Sequence, residues 1–339
     1  MASRAISMTS ARGIGPLPAL VDEMEGHRAT QRLFVDVGLP LALIEEPGVM
    51  MPLRDLVALY ERAARVTGNP LFGLDAGRAM ANDFGPWSDY ARSAPTLGAC
   101  LARASRGLAF HQSSTRLSLS LDGPQALYTY HVPVAGPRAR AQHVEHTLPA
   151  LLSAFRRYTG PDWSPDAIEV DLPRDGRIAS LERSLAIPIR CDCPAYAIRF
   201  QRAALAIAES PHVPLARRLT RRDLMAAINR RPPRDEVGAV RELIHLRFLD
   251  GPVDLDGVAA HLGIGARTLQ RRLEAANHSF RDLLAQERQA RACALLETSD
   301  TPITEIAYRL GYSDVAHFSR AFSRSLSVSP RAYRRQHAT

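Results

Sequence analysis

Most apolar residues of the chain recur every three or four positions, which is the spacing of one face of an α-helix. Over residues 17–80 this spacing predicts several helices, and the run from Thr67 to Leu74 interrupts them with turn residues. Two more helices are predicted over residues 96–112 and 139–158. The first two-thirds of the chain is therefore expected to be largely helical.

Alternation of apolar and polar residues, which is typical of β-strands, is confined to short stretches of the same region. Residues 116–121 alternate, and an apolar run at 126–132 follows the turn residues Asp122-Gly123-Pro124, which predicts a hairpin. Short strands are also predicted at residues 167–172 and 197–200. Helices combined with a small sheet indicate an α+β domain.

Two helix-turn-helix patterns follow one another near the end of the chain, from Val258 to Leu273 and from Ile303 to Phe322. Each places a small Ala four residues before a turn Gly, with an apolar residue on either side of that Gly. The Ala lets two helices cross closely, and the Gly adopts a left-handed backbone angle that costs other residues free energy. Gly263 and Gly311 are 48 positions apart, and a helix-like stretch over residues 280–296 joins the patterns. The tandem pattern indicates an all-α domain that binds double-stranded DNA.

The second helix of each pattern is the predicted recognition helix, which reads base edges in the major groove. In the first, Leu269 and Leu273 point inward, and the outer face carries Arg and Gln, which suit guanine and adenine. In the second, Phe318 and Phe322 point inward, and the outer face is poorer in hydrogen-bond donors. The predicted DNA-binding residues are Arg267, Thr268, Gln270, Arg271, Val315, Ala316, Ser319, Arg320 and, in the tail, Arg334. An ordinary solvated helix face is the alternative, above all for Val315 and Ala316.

The segments 287–296, 303–322 and 328–334 resemble the AraC/XylS family of bacterial transcription regulators, and the last contains a Ser-Pro-x-x-Tyr-Arg motif. The resemblance implies a seven-helix domain whose central helix holds two recognition helices in successive major grooves. The chain departs from the family pattern at two glycines, which are Asn277 and Ser327 here. Asn tolerates a left-handed cap well and Ser less well, so a modest stability cost is expected at Ser327.

The first two-thirds of the chain resembles a second module. Residues 67–74, 92–97, 186–190 and 197–200 are similar to the N-terminal domain of a regulator subgroup that includes ornithine- and arginine-responsive and mycobacterial virulence regulators. The resemblance extends over residues 15–215 and implies a domain that senses a small molecule and dimerises. The cupin-like barrel of the arabinose regulator itself is not expected, because too few strands are predicted.

Four parts are predicted along the chain. Residues 1–15 are expected to be a disordered N-terminus, and residues 16–225 a ligand-sensing and dimerisation domain. Residues 226–236 are the predicted linker, in which Pro232-Pro233 prevents a continuous helix. Residues 237–339 are the predicted DNA-binding domain.

Charge and composition refine this picture. The net charge is +8, and all 43 basic residues are Arg, which favours planar contacts with phosphate and guanine. Residues 240–339 nevertheless hold 14 Arg against 11 acidic residues, so DNA binding must also depend on positioned contacts. The Arg clusters between Arg217 and Arg234 are candidates for phosphate contacts, with a solvated linker as the preferred interpretation.

Other function classes find little support. No run of 18 apolar residues and no apolar N-terminal segment occurs, so neither a membrane span nor a secretory signal is expected, and the location is expected to be cytoplasmic. His143 and His146 are candidate metal ligands on one helix, but no third ligand accompanies them. No metal, cofactor or catalytic residue is therefore predicted.

The expected partners are double-stranded DNA, an unidentified small-molecule effector, a second copy of the chain and RNA polymerase. Residues of the effector site cannot be assigned from the sequence. The alternatives are a non-sensing architectural DNA-binding protein and, more distantly, a metal-dependent enzyme fused to a DNA-binding domain.

Overall fold

The computed structural model describes residues 6–80, 83–134, 136–208, 218–228 and 230–337. The chain divides into two units, Met1–Pro232 and Pro233–Thr339. The first unit combines helices with sheets and the second is all-α, which confirms the predicted fold class. The boundary falls inside residues 226–236, where the linker was expected.

Helices dominate the first unit and lie close to where the apolar spacing predicts them. They are α1 (Leu17–Glu25), α2 (His27–Val37), α3 (Leu53–Val66), α4 (Phe72–Met80), α5 (Pro86–Arg92), α6 (Leu97–Gly107), α7 (Ala141–Thr159), α8 (Gly176–Leu185) and α9 (Arg221–Ala227). The predicted interruption at residues 67–74 is shorter than expected. Helix α4 already begins at Phe72, because the Asn69 side chain accepts the Leu71 N–H at 2.9 Å and stabilises the helix start.

Among the described residues of this unit, seven strands form two sheets. They are β1 (Met8–Ser10), β2 (Met50–Pro52), β3 (Arg116–Asp122), β4 (Gln125–His131), β5 (Ala167–Glu169), β6 (Ile189–Arg190) and β7 (Tyr196–Gln201). The larger sheet has the order β3-β4-β7-β5-β6, in which the β5–β6 pair is parallel and the other pairs are antiparallel. The predicted hairpin is confirmed, since β3 and β4 pair with Leu117 opposite Tyr130.

The core of the first unit lies between the larger sheet and helix α7. Phe155 of α7 is fully buried and meets the Phe200 ring edge to face, with ring centroids 4.8 Å apart. The Tyr128 ring of β4 packs against the Phe155 ring as well. Aromatic rings fill this space because each buries a large apolar area and favours edge contacts.

The N-terminal segment expected to be disordered, residues 1–15, is ordered from Met8 onward; residues 1–5 lie outside the described residues. Strand β1 pairs with β2, and Thr9 in its centre is fully buried. The Ser10 N–H also donates to the His111 carbonyl at 3.0 Å. The prediction fails here because a three-residue strand is too short to show a periodic pattern, and its partners lie far along the chain.

Part of the stretch between Arg217 and Arg234, for which a solvated linker was the preferred interpretation, also belongs to the first unit. Helix α9 begins at a capping box on Thr220, and Leu224 on its inner face is buried. Just before it, the Leu219 N–H donates to Ser93 Oγ at 3.2 Å. Arg217 and Asn229, which fall in this stretch, lie outside the described residues.

Seven helices make up the described part of the second unit, as the family resemblance implies. They are α10 (Glu236–Arg247), α11 (Leu255–Leu262), α12 (Ala266–Ala275), α13 (Phe280–Thr298), α14 (Ile303–Arg309), α15 (Val315–Leu326) and α16 (Pro330–His337). Helix α13 is the predicted connecting helix, and its 19 residues extend about 28 Å. It contributes the fully buried Leu296 to a cluster with Phe318 and Phe322 of α15.

Candidate functional site

The two helix-turn-helix turns share one backbone arrangement. In the first, Gly263 has φ of 68° and donates its N–H to Ala260 at 3.0 Å, while Ile264 donates to Ala259 at 3.1 Å. This pair of bonds is a Schellman motif, which satisfies the last carbonyls of a helix and needs a left-handed residue. The second turn repeats it at Gly311, where φ is 75° and the bonds are 2.9 and 3.0 Å. The roles predicted for both glycines are confirmed.

The first recognition helix, α12, presents the face that the sequence predicts. Leu269 and Leu273 are buried beneath it. Exposed on the opposite side are Arg267, Gln270 and Arg271. None of these three side chains forms a hydrogen bond or ion pair with any described residue. Side chains that are free of internal contacts can turn toward an incoming base without losing an existing bond.

The neighbours of these three residues have different environments. Thr268 is half-buried. Arg272 is exposed but donates to Glu236 of α10 at 2.9 Å, so its guanidinium is held on the protein. The exposed and unpaired positive charge of α12 is therefore concentrated at Arg267 and Arg271.

The second recognition helix, α15, begins at Asp314, whose carboxylate accepts the His317 N–H at 2.6 Å. That hydrogen bond lowers the pKa of Asp314. Ala316 and Arg320 of this helix are exposed, as predicted for a DNA-facing surface.

Val315 and Ser319 are half-buried, and Val315 packs against the apolar cluster around Phe318. A side chain that fills a packed core has less surface to offer a thymine methyl. The structure therefore gives Val315 a packing role beside its predicted role in DNA contact.

The tail helix α16 closes the second unit. Arg334 is half-buried and donates to the Thr301 carbonyl at 2.6 Å, and Tyr333 donates to Glu297 at 2.5 Å. Arg334 therefore has an internal role, and its contact with phosphate stays a prediction. Arg335 in the same helix is exposed.

The first unit encloses a cavity of about 70 Å³ that the sequence did not reveal. It is bordered by α5, α6, α7 and the larger sheet, and its walls are mainly apolar or aromatic, including Phe84, Trp87, Leu101, Tyr128 and Leu151. Within the described residues, no Asp or Glu lines it. A mostly apolar cavity with a few polar groups is the usual form of a small-molecule site.

Three buried histidines line this cavity, at His111, His143 and His146. Burial disfavours the charged imidazolium, and this lowers the pKa of His111 to about 3 and that of His146 to about 4. The pKa of His143 is also lowered well below its ordinary value, by burial first and by the other two histidines next. All three rings are therefore uncharged at neutral pH.

A chain of hydrogen bonds connects two of these rings with the polar residues around them, and it fixes the proton on His146. Thr9 donates to Gln112 at 3.2 Å, and Gln112 donates to the Tyr130 hydroxyl at 3.0 Å. The Tyr130 hydroxyl and His143 Nε2 form a hydrogen bond of 3.3 Å that either group can donate. His146 Nδ1 donates to the His143 carbonyl at 2.6 Å, which leaves His146 Nε2 as an acceptor.

Three buried polar atoms on residues that line the cavity have no partner within the described residues: His143 Nδ1, His146 Nε2 and Trp87 Nε1. A buried polar group without a partner costs about 1–3 kcal/mol. A donor on Trp87, an acceptor on His146 and the Nδ1 atom of His143 are thus available to a molecule in the cavity.

Two glycines bring helix α7, which carries two of the histidines, against α4. A Cβ atom at Gly73 would lie 2.1 Å from the Gln142 carbonyl oxygen, and one at Gly77 would lie 2.3 Å from that of His146. The Gln142 side chain also accepts the Gly73 N–H at 2.7 Å. Helix α7 can approach this closely only because both positions of α4 lack a side chain.

Another buried polar contact of α7 involves Glu145, which does not line the cavity. Arg177 donates to both carboxylate oxygens of Glu145, at 2.6 and 2.8 Å. Burial raises the pKa of Glu145 to about 7, although the Arg177 charge acts in the opposite direction.

The described residues contain no group of three or more His, Cys, Asp or Glu side chains placed to hold a metal ion. His143 and His146 instead belong to the aromatic lining, since the His146 ring stacks on Tyr60 with centroids 4.5 Å apart. No helix in the described ranges is both long enough and apolar enough to cross a membrane.

Comparison with known families agrees with both units. A sequence model of the N-terminal arabinose-binding domain of AraC transcription regulators matches residues 28–208, which is more than half of the chain. The chain belongs to the AraC family. A helix-turn-helix domain model matches residues 258–336 of this AraC-family regulator. The chain is thus a transcriptional regulator with a ligand-sensing N-terminal domain and a DNA-binding C-terminal domain, and the architectural and enzyme alternatives are not favoured.

Individual relatives are also transcription regulators. VirS of Mycobacterium tuberculosis is 26% identical over 325 residues, covering 87% of this chain and 88% of its own. The transcriptional activator NphR of a Rhodococcus species is 30% identical over 138 residues, 41% of each chain, so this match spans less than half of NphR. The crystal structure of CdpR from Pseudomonas aeruginosa aligns with 22% identity and a TM-score of 0.40 over 90% of this chain and 97% of that one.

Proposed function

We propose that this AraC-family chain acts as an effector-responsive dimer, in which a small molecule binds in the cavity of the first unit. The observation that supports the cavity is its lining: apolar walls, uncharged buried histidines and three polar atoms without partners. Bound effector then changes how the two DNA-binding units of the dimer are presented, through a difference in affinity for two arrangements.

In the second unit, Arg267, Gln270 and Arg271 contact base edges from α12, and Arg320 contacts a base or phosphate from α15. Thr268, Val315, Ala316 and Ser319 line the same interface. Support comes from the exposed and unpaired side chains of α12. Arg334 or its exposed neighbour Arg335 holds a phosphate.

Dimerisation through the first unit compensates for the small basic surplus of each DNA-binding unit, because two copies double the number of positioned contacts. Promoter-bound regulators act on transcription through RNA polymerase, which we propose as the third partner. The chain then functions in the cytoplasm, where promoter DNA is located.

Sedimentation of the full-length protein, followed by operator titration with and without effectors found by thermal-shift screening, tests this function. A dimer is expected, with an operator affinity that differs between the two titrations by a factor of about 5–150. A monomer at tens of micromolar would contradict dimerisation. If operator affinity and promoter output ignored every bound molecule, sensing would be excluded and the architectural alternative would remain.

A further inference from the structure

The charges around the cavity are of one sign. Arg92 lines the cavity and also an open cleft of about 920 Å³ on its outer side. Arg78, Arg156 and Arg157 line the same cleft. Within the described residues, no Asp or Glu lines either the cavity or the cleft. Arg78 is paired with Asp75 at 3.4 Å, so the positive field in the cleft comes mainly from Arg92, Arg156 and Arg157, and it attracts anions.

Arg92 is the arginine placed to bind such an anion. Its side chain is half-buried, and no described residue forms an ion pair with it. Burial lowers its pKa, and the nearby Arg157 lowers it further. Asp89, one turn earlier on α5, contributes a weaker opposing effect without reaching ion-pair distance. A guanidinium in this position gains more from a carboxylate than from any neutral group.

The lining of the cavity determines the charge and polarity of the part of the ligand that lies inside it. An ammonium group there would be buried without a counter-charge, because the three histidines are uncharged and no described lining residue is acidic. Apolar walls favour a hydrocarbon body, and the unpartnered atoms of Trp87 and the histidines accept one further uncharged polar group.

We propose that the cavity binds a small carboxylic acid with an apolar body, whose carboxylate is held by Arg92 at the mouth. This inference rests on the proposed sensing function and specifies its ligand class. It excludes amino acids and amines as effectors of this chain, even though one relative, 35% identical over 95 residues, is the ornithine utilization regulator of Pseudomonas aeruginosa.

Calorimetric titration of the full-length protein with three sets of molecules tests the ligand class. The sets are propanoate, 2-methylpropanoate and butanoate, whose apolar parts suit a cavity of about 70 Å³, each accompanied by the amide and the amine of the same carbon skeleton. At least one acid is expected to bind about tenfold or more tighter than its amide, because the charge-assisted bond to Arg92 is the stronger one. The amines are expected not to bind. If every acid bound no better than its amide, or if any amine bound as tightly as its acid, the proposal would be overturned.

Three variants distinguish the loss of a contact in the proposed site from a general effect on folding or charge. Arg92→Gln is expected to bring the acid and amide affinities within about threefold of each other, because only neutral hydrogen bonds remain. Arg106→Gln removes an exposed charge from α6 that lines neither space, and it should leave the preference unchanged. Ala104→Leu projects a side chain into the cavity and should abolish binding of both. Retained acid preference in Arg92→Gln, or unchanged binding in Ala104→Leu, would contradict the proposed location.

The sensing function and the ligand class can be refuted independently of each other. Tight acid binding that leaves operator affinity unchanged would refute the sensing function while the ligand class stands. An operator response to an amine, with no acid bound in the cavity, would keep the sensing function and refute the ligand class.

Discussion

Ser327 and Asn277 adopt the left-handed backbone at the ends of the two recognition helices, each with φ of 59°. The family resemblance implies Gly at both positions, and left-handed angles were therefore expected there. The cost falls mainly on Ser327, because a short amide side chain stabilises this conformation better than a hydroxyl does.

Ser327→Gly is expected to raise the free energy of unfolding of the second unit by about 1 kcal/mol, since the left-handed penalty disappears. Ser323→Gly, one turn earlier within α15, is the control and should lower it by roughly 0.5–1 kcal/mol. Urea denaturation followed by far-UV circular dichroism measures both. Equal effects of the two substitutions would show that the backbone angle at Ser327 is unstrained.

Arg267 and Arg271 are predicted to select bases. Replacing either with Ala should cost about 1–3 kcal/mol of operator binding and relax preference at one or two positions. Arg335→Ala, in the tail, should weaken binding to all sequences and flatten its salt dependence. Titrations on variant operators at two salt concentrations compare them. Equal losses on operator and random DNA for Arg267→Ala would assign that residue to phosphate instead.

The buried histidines make the first unit sensitive to acid. Their pKa values are depressed in the folded state, so the unfolded chain takes up protons first as the pH falls below about 6.5, and stability is lost. Each histidine contributes a slope of up to about 1.4 kcal/mol per pH unit. Glu145, whose pKa is raised to about 7, acts in the opposite direction: it gains stability as the pH falls from 7 toward its unfolded value. Burial also raises the pKa values of Glu61 and Asp89, which act with Glu145. A net loss is expected because burial depresses the pKa values of all three histidines strongly.

Tryptophan fluorescence can follow this loss in the full-length protein, because both tryptophans, Trp87 and Trp163, lie in the first unit. Urea midpoints are expected to fall between pH 7 and pH 5. His146→Phe should make the fall shallower, because it removes one of the three buried rings. An unchanged slope in His146→Phe would mean that this ring does not titrate on unfolding.

At the scale of elements, the contact between α4 and α7 shows how a short pattern positions the cavity. Gly73 and Gly77 are one turn apart on α4, and both face the backbone of α7. Gly77→Ala is expected to destabilise the first unit by at least about 2 kcal/mol, because the clash is with a carbonyl that cannot rotate away. Gly176→Ala, where a Cβ meets nothing within 4 Å, is the control. Comparable stability of the two variants would contradict the close approach.

Helices and strands with a regular spacing of apolar residues could be predicted from the sequence. Those stabilised by contacts with residues far along the chain could not. Helix α3 and the β3–β4 hairpin follow from spacing alone. Strand β1 and helix α9 do not, because their stability comes from pairing and packing with residues far along the chain. The cavity could not be predicted for the same reason. Its residues Trp87, His111 and His146 come from three distant segments of the chain, and no local pattern brings them together. The helix-turn-helix faces were predictable because their spacing is local.

At the scale of the whole molecule, the second unit carries its own core and its own first cap. Asp235 accepts the Gly238 N–H at 2.7 Å and begins α10, so a fragment starting at Asp235 retains this cap. Such a fragment is expected to fold and to bind the operator more weakly than the intact protein. Far-UV circular dichroism and operator titration measure this. An unfolded fragment would show that the second unit depends on the first.

The unlike faces of α12 and α15 give the bound sequence an orientation. One face carries Arg267, Gln270 and Arg271, and the other carries Ala316 and Arg320, in a fixed order along α13. A palindrome presents the same bases in both directions and cannot match two different faces of one chain. With the proposed base contacts, the recognition element of each copy is asymmetric, and reversing it end for end is expected to reverse the orientation of the regulator on the promoter.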